Sequence, residues 1–256
     1  MVEKNKSLWL APIVVLLLLV FQQFASRTGG FVTNLFTYDR IDPYNLFAWV
    51  SVHHIVQMII ALAAILILAK AKGIDFGFGL GNVKVGLDHT WNFTIIIAIY
   101  VIVVRVVNVV FFSFSVPNFP LNITNVAGTL GFQLLLSGPA EEILFRALPI
   151  VVLAYSFKSG KSIKIDKKLS GVESFEVSPE TVIASIFFTI AHIGWTINPF
   201  AITHLNIHQL ILSFVVGIFY GVAFQKSKSV IYPMAMHSIS NVLIVGERYI
   251  SSFIFG

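Results

Sequence analysis

Three features of the sequence predict an all-α fold, a polytopic transmembrane helical bundle with about seven spans (six to eight). Composition is the first: 57% of the residues are hydrophobic and 11% are charged, where a soluble domain carries roughly 45–50% apolar and about 25% charged residues. The second is a recurrence of apolar runs of about 20 residues, the length that crosses a hydrocarbon core as a helix. The third is the placing of the lysines, which fall in alternate connections between those runs. There are no cysteines, which excludes disulfides and thiolate metal sites. A net charge of +5 reads as lysine gathered in cytosolic loops and not as nucleic-acid binding.

The first run, 8–24, follows Lys4 and Lys6. It runs on through Phe21-Gln22-Gln23-Phe24 with no A-x-A site after it, so an uncleaved anchor is expected and not a signal peptide. A polar loop over 27–45 contains the turn signal Asp42-Pro43-Tyr44-Asn45. The second span, 46–69, is free of charge and carries His53 and His54 in its outer third. A glycine-rich loop, 70–90, leads to a third span at 91–116, interrupted by Arg105; Pro117 and Pro120 then mark a loop. The fourth apolar stretch, 125–157, exceeds what one crossing needs. Pro139 and Pro149, with Gly128, Gly131 and Gly138, predict that it is kinked or broken. A loop over 158–180 holds five lysines and is expected to be solvated. Spans at 181–198, 208–225 and 229–245 complete the chain, with Lys226 and Lys228 between the last two.

With the N-terminus in the cytosol and seven alternating spans, all twelve lysines fall in cytosolic segments, and only Arg27, Arg40 and Arg248 fall outside. That bias satisfies the positive-inside rule. The expectation is therefore an integral membrane protein of the cell membrane with a cytosolic N-terminus. No internal repeat is visible, so the inverted-repeat signature of many transporters is missing.

Charges inside the membrane are costly and mark functional sites. The stretch Ser137-Gly138-Pro139-Ala140-Glu141-Glu142-Ile143-Leu144-Phe145-Arg146 holds three. Residues four apart share a helix face, whereas neighbours point about 100° apart. Glu142 and Arg146 are thus placed to pair as supporting residues, leaving Glu141 without its own cation. The fifth span adds Phe188-Thr189-Ile190-Ala191-His192, and the last adds His237-Ser238-Ile239-Ser240-Asn241. Counting about 1.5 Å per helical residue, Glu141, His192, His237 and Asn241 fall in one broad slab of the bilayer. A carboxylate, two imidazoles and a carboxamide at one level suit hydrolysis. Glu141 is expected to take a proton from water and His192 to orient that water, while His237 and Asn241 donate to the oxyanion. Glu141, His192 and His237 would equally suit zinc with an open position; the sequence leaves zinc and a metal-free site both open. Neither H-E-x-x-H nor G-x-S-G occurs, and no aspartate lies in an expected span, against three other intramembrane protease chemistries.

The set Glu141-Glu142-x-x-x-Arg146, Phe188-x-x-x-His192 and His237-x-x-x-Asn241, each on a hydrophobic segment and in that order, resembles the CPBP family. These are the type II CAAX prenyl endopeptidases and the bacteriocin-processing or immunity proteins also called Abi. Gly217-x-x-x-Gly221 is similar to that family's glycine motif between the histidine helices. The resemblance covers about 125–245, which divides the chain into N-terminal helices of no named family (1–120) and a protease-like core (121–256). It implies an all-helical intramembrane endopeptidase whose site opens toward the cytosol, with Glu141 and His192 activating water, His237 and Asn241 stabilising the oxyanion, and Glu142 and Arg146 in support. The expected partners are a peptide or protein substrate and the bilayer, with no nucleic acid. The alternative is a non-catalytic membrane scaffold or bacteriocin self-immunity protein; a small transporter ranks last. Arg105 is read as packing or snorkelling, with Glu141 and Glu142 the only carboxylates in reach. His53, His54, His204 and His208 are not expected in the site.

Overall fold

The computed structural model describes residues 2–111, 119–157, 163–165, 175–196 and 198–255. Most of the lysine-rich loop, and Pro117, lie outside the described residues. Three helices open the chain: α1 (Val2–Thr33), α2 (Ala48–Lys72) and α3 (Val83–Phe111). A single helical rod then spans 123–157. It comprises α4 (Ile123–Phe132), a π-turn (Gln133–Ser137), α5 (Gly138–Glu142), a second π-turn (Ile143–Ala147) and α6 (Leu148–Phe157). Strands β1 (Ile163–Ile165) and β2 (Phe175–Val177) pair antiparallel before α7 (Pro179–Ala191). A hairpin of β3 (Gly194–Thr196) and β4 (Ala201–His204) leads to α8 (Ile207–Ser227) and α9 (Ile231–Phe255). The described residues thus form seven helical rods with almost no sheet, as the sequence predicts. Four of them, over Leu10–Thr33, Ala48–Lys72, Val83–Phe111 and Ile207–Ser227, are long and apolar enough to cross a membrane.

Several boundaries differ from the sequence expectation. The first helix runs to Thr33, so Arg27 sits on a helix and not in a loop. Asp42 explains where α2 begins: its carboxylate accepts from the backbone N–H groups of Leu46, Phe47 and Ala48 at 2.7–2.9 Å, the orphan donors of a helix N-terminus. The third helix starts at Val83 and takes in Asp88, which shortens the glycine-rich loop to 73–82. In that loop Gly81 has φ +53°, and a Cβ there would collide with the Ser227 carbonyl, so only glycine fits. The last helix continues to Phe255.

The stretch over 123–157 is not broken, and the prolines show why. Proline lacks an N–H and its ring clashes with the carbonyl four residues back. Pro139 would strike the carbonyl of Leu135 and Pro149 that of Phe145. Each of those carbonyls lies in a π-turn, Gln133–Ser137 or Ile143–Ala147, where the widened backbone absorbs the ring.

One apolar core draws on both parts of the chain: Leu18 and Ala25 of α1, Ala61 and Ile65 of α2, Leu144 and Leu153 of the central rod. Small residues set the closest helix approach. Gly217 and Gly221 of α8 meet Ser185 and Thr181 of α7, and a Cβ on Gly221 would stand 2.6 Å from Thr181 Cγ2. Small residues four apart on both helices bring the backbones together as in membrane helix pairs. Large apolar side chains such as Leu16, Leu17, Ile99, Ile102 and Val106 remain exposed, as a lipid-facing surface requires.

Candidate active site

The site is built on α5 and the second π-turn. Glu142 and Arg146 are both without solvent exposure, and Arg146 Nη1 lies 3.0 Å from Glu142 Oε1, the expected i, i+4 pair. Aromatic faces enclose the guanidinium: Phe188 at 4.1 Å and Tyr220 at 5.1 Å from Cζ. A desolvated cation–π contact contributes about 2 kcal/mol, so the charge is held on three sides. Gly217 is needed beside it, because a Cβ there would stand 3.3 Å from Arg146 Nη2.

His237 is the hinge between the two carboxylates. Its Nδ1–H donates to Glu142 Oε1 at 2.8 Å, and its Nε2 faces Glu141 Oε2 at 3.6 Å, too far for a hydrogen bond. The imidazole is clamped by the stacked ring of Tyr220 at 5.2 Å and the edge of Phe188 at 5.6 Å. Ser240 Oγ donates to the His237 carbonyl at 2.8 Å and accepts from Tyr220 OH at 2.7 Å. His192 closes α7 as its C-cap, and its Nδ1–H donates to the Phe188 carbonyl at 2.7 Å. That bond fixes the tautomer and leaves the Nε2 lone pair free. Asn241 Nδ2 donates to Ser137 Oγ at 2.9 Å, which leaves its second N–H.

Glu141 has a partner the sequence reading passed over. Its Oε1 lies 2.7 Å from His54 Nε2, and His54 Nδ1–H donates to the Val50 carbonyl at 2.8 Å. A single proton must lie between His54 and Glu141. The edge of His54 also packs against Phe132 at 5.0 Å. A helical stripe could have revealed it, since His54, Gln57, Ala61 and Ile65, four of the five buried residues of α2, follow one face. Its neighbour His53 instead meets the Ser26 carbonyl on α1 at 3.0 Å. Arg105 also departs from expectation: it pairs with Glu247 at 3.2 Å, not with Glu141 or Glu142, because α9 continues past residue 245.

Glu141, His192, His237 and Asn241 line one cavity of about 700 Å³, with His54 and Ser137 in the same wall. Glu142 and Arg146 stand behind it. Among the described residues, no group of three or more histidine, aspartate or glutamate side chains is arranged to hold a metal ion. Glu141, His192 and His237 share the cavity. The arrangement can move a proton at Glu141 and donate a hydrogen bond from Asn241 into one space, with His237 Nε2 facing the same space.

Residues 123–243 match the family model described as Type II CAAX prenyl endopeptidase Rce1-like. No curated protein matches the chain, and no solved structure does. The matched segment holds the whole constellation except His54, which α2 contributes from outside it. Motif order and a helical membrane fold agree with this match: residues 123–243 are similar to the Rce1-like type II CAAX prenyl endopeptidases.

Proposed function

We propose that the chain is an intramembrane endopeptidase in which Glu141 activates water for attack on a peptide bond. The observation that carries this is the division of labour between adjacent carboxylates. Glu142 is consumed by Arg146 and His237, whereas Glu141 keeps Oε2 on the cavity. His54 holds Oε1 and so acts as a positioning residue.

Water beside Glu141 Oε2 gives its proton to the carboxylate as its oxygen bonds to the substrate carbonyl carbon. The Nε2 lone pair of His192 accepts the water's second hydrogen and sets its direction. Charge on the carbonyl oxygen meets the free N–H of Asn241 and, with His237 protonated against Glu142, its Nε2–H. Collapse of the tetrahedral adduct breaks the C–N bond, and the proton on Glu141 passes to the leaving amine. In the competing form of this proposal Glu141, His192 and His237 would hold a zinc ion, which would supply Lewis-acid activation of the water.

Purified protein in proteoliposomes with a fluorogenic peptide library tests both. Cleavage by the parent and its loss in Glu141→Gln and His192→Ala support the reading. Equal cleavage by all three sinks the assignment of these residues, and no cleavage by any of the three leaves a non-catalytic membrane scaffold. Activity that survives exhaustive chelation supports the metal-free form, and activity lost to the chelator and restored by zinc supports the other.

A further inference from the structure

We propose that β4 is a docking edge for the substrate, an extended peptide segment that adds to the β3–β4 hairpin as a third strand. This deepens the endopeptidase reading and rests on it for the word substrate.

The need for an edge follows from the reaction. In a helix each carbonyl accepts from the N–H four residues on, so a helical peptide shields the group that water must attack. An extended segment exposes that carbonyl but leaves its own backbone N–H and C=O groups unpaired. Unpaired backbone groups are costly among membrane helices, where water does not compensate them. A site that takes a peptide in extended form therefore has to bring backbone partners for it. An exposed sheet edge supplies them, with main-chain bonds that tolerate many side chains.

The hairpin has both the edge and the position. Its two ends open on the cavity: His192 lies two residues before β3, Asn206 lies two residues after β4, and both line the wall. His204 Nε2 meets Oε1 of Gln209, another wall residue, at 3.2 Å, which ties the end of β4 to α8. The anchored strand is β3. Its Trp195 is half-buried, with the Arg27 guanidinium of α1 over the ring at 4.3 Å and the Phe200 ring at 6.5 Å. The outer strand is β4, and all four of its residues, Ala201–His204, are exposed. Among the described residues no backbone hydrogen bond from outside the hairpin reaches 201–204. Neither lysine nor proline, the usual guards of an exposed edge, occurs there. The one irregularity adds to the free groups. Trp195 pairs with Ile202 and Gly194 with His204, so Thr203 is the extra residue of a bulge, unpaired with β3. A peptide laid along β4 passes into the cavity beside Asn206 and Gln209, toward His192 and Glu141.

The test uses the Glu141→Gln protein in proteoliposomes and a short fluorescent valine/threonine peptide, with binding read by anisotropy. Three peptides are compared: unmodified, N-methylated at every second residue, and N-methylated equally often but on consecutive residues. An added strand turns only alternate N–H groups to its neighbour. The second peptide can keep its methyls on the far edge and is expected to bind as the first does. The third blocks both edges and is expected to lose about tenfold or more. Equal loss from the two methylation patterns, or no saturable binding, overturns the pairing. Because the chain has no cysteine, the place can be read separately. Ile202→Cys is expected to form a disulfide with a central cysteine of the same peptide, since cross-strand neighbours stand within reach. Leu80→Cys, exposed in the loop 73–82, is not. Capture at Leu80→Cys as readily as at Ile202→Cys overturns β4 as the edge. So do disulfide-linked dimers at Ile202→Cys that excess peptide does not suppress, which would make a second copy the occupant. No readout needs turnover: pairing without cleavage by the parent removes the endopeptidase reading alone, and cleavage with equal methylation losses removes the strand alone.

Discussion

Replacing Glu142 by leucine leaves the Arg146 guanidinium charged, unexposed and between Phe188 and Tyr220, with no carboxylate beside it. Removing one partner of a buried ion pair costs about 3–5 kcal/mol. Arg146→Met leaves Glu142 in the mirror situation, held by His237 alone, and falls in the same range. Additivity would put the double variant at about 6–10 kcal/mol. The geometry predicts far less. With both charges gone and similar volume restored, the remaining cost is the His237 Nδ1–H left without an acceptor, about 1–3 kcal/mol. Equilibrium unfolding of the four proteins in mixed micelles against rising dodecyl sulfate measures the cycle. Peptide cleavage is followed in parallel and stays lost in the double variant, because His237 is no longer anchored. A double variant that loses the sum of the singles refutes the reasoning. So does a Glu142→Leu protein within about 1 kcal/mol of the parent, the range of an exposed pair.

Glu141→Gln lowers the cleavage rate by about 10²–10⁴, the contribution of a general base, with little change in the unfolding midpoint. His54→Ala loses a charge-assisted hydrogen bond of about 1.5–3 kcal/mol, so kcat falls by about 10–150-fold while KM holds. His54→Gln, which can still bond Glu141, recovers part of that loss, whereas a purely structural role would show no such rescue. Asn241→Ala removes an oxyanion donor and costs about 10²–10³ in kcat, measured on the same peptide. Gly221→Ala forces a Cβ against Thr181 Cγ2 and destabilises by about 1–3 kcal/mol through overpacking. Thr181→Ser in the same chain removes that methyl, keeps the hydroxyl that donates to Gln225 at 2.7 Å, and restores the unfolding midpoint.

What the sequence makes legible follows the range of its forces. Span number and helical class come from apolar run length, a local quantity, and the Glu142–Arg146 pair comes from i, i+4 spacing inside one helix. His54 was out of reach of such rules because its partner lies 87 residues away. Only the buried stripe through Gln57 and Ala61 hinted at it. Arg105 was misassigned for a related reason: Glu247 and Arg248 lower the hydropathy at the end of α9, so the apolar run stops before the helix does. Over 123–157 the two prolines do not break the helix as they normally would, because the backbone's answer to them is a change of winding that no side-chain pattern records.

That change of winding sets the site's registration. Each π-turn takes up one residue more than the surrounding helix would, and one residue is about 100° of rotation. The direction in which Glu141 and Glu142 point, one toward α2 and the other toward α9, is therefore fixed by the count of residues between α4 and α5 as much as by their identity. Removing a single residue from 133–137 would keep every motif side chain and every apolar contact type, yet turn Glu142 off His237 and Glu141 off His54. The site is written in the chain's length, and it is more vulnerable to a one-residue deletion there than to most substitutions.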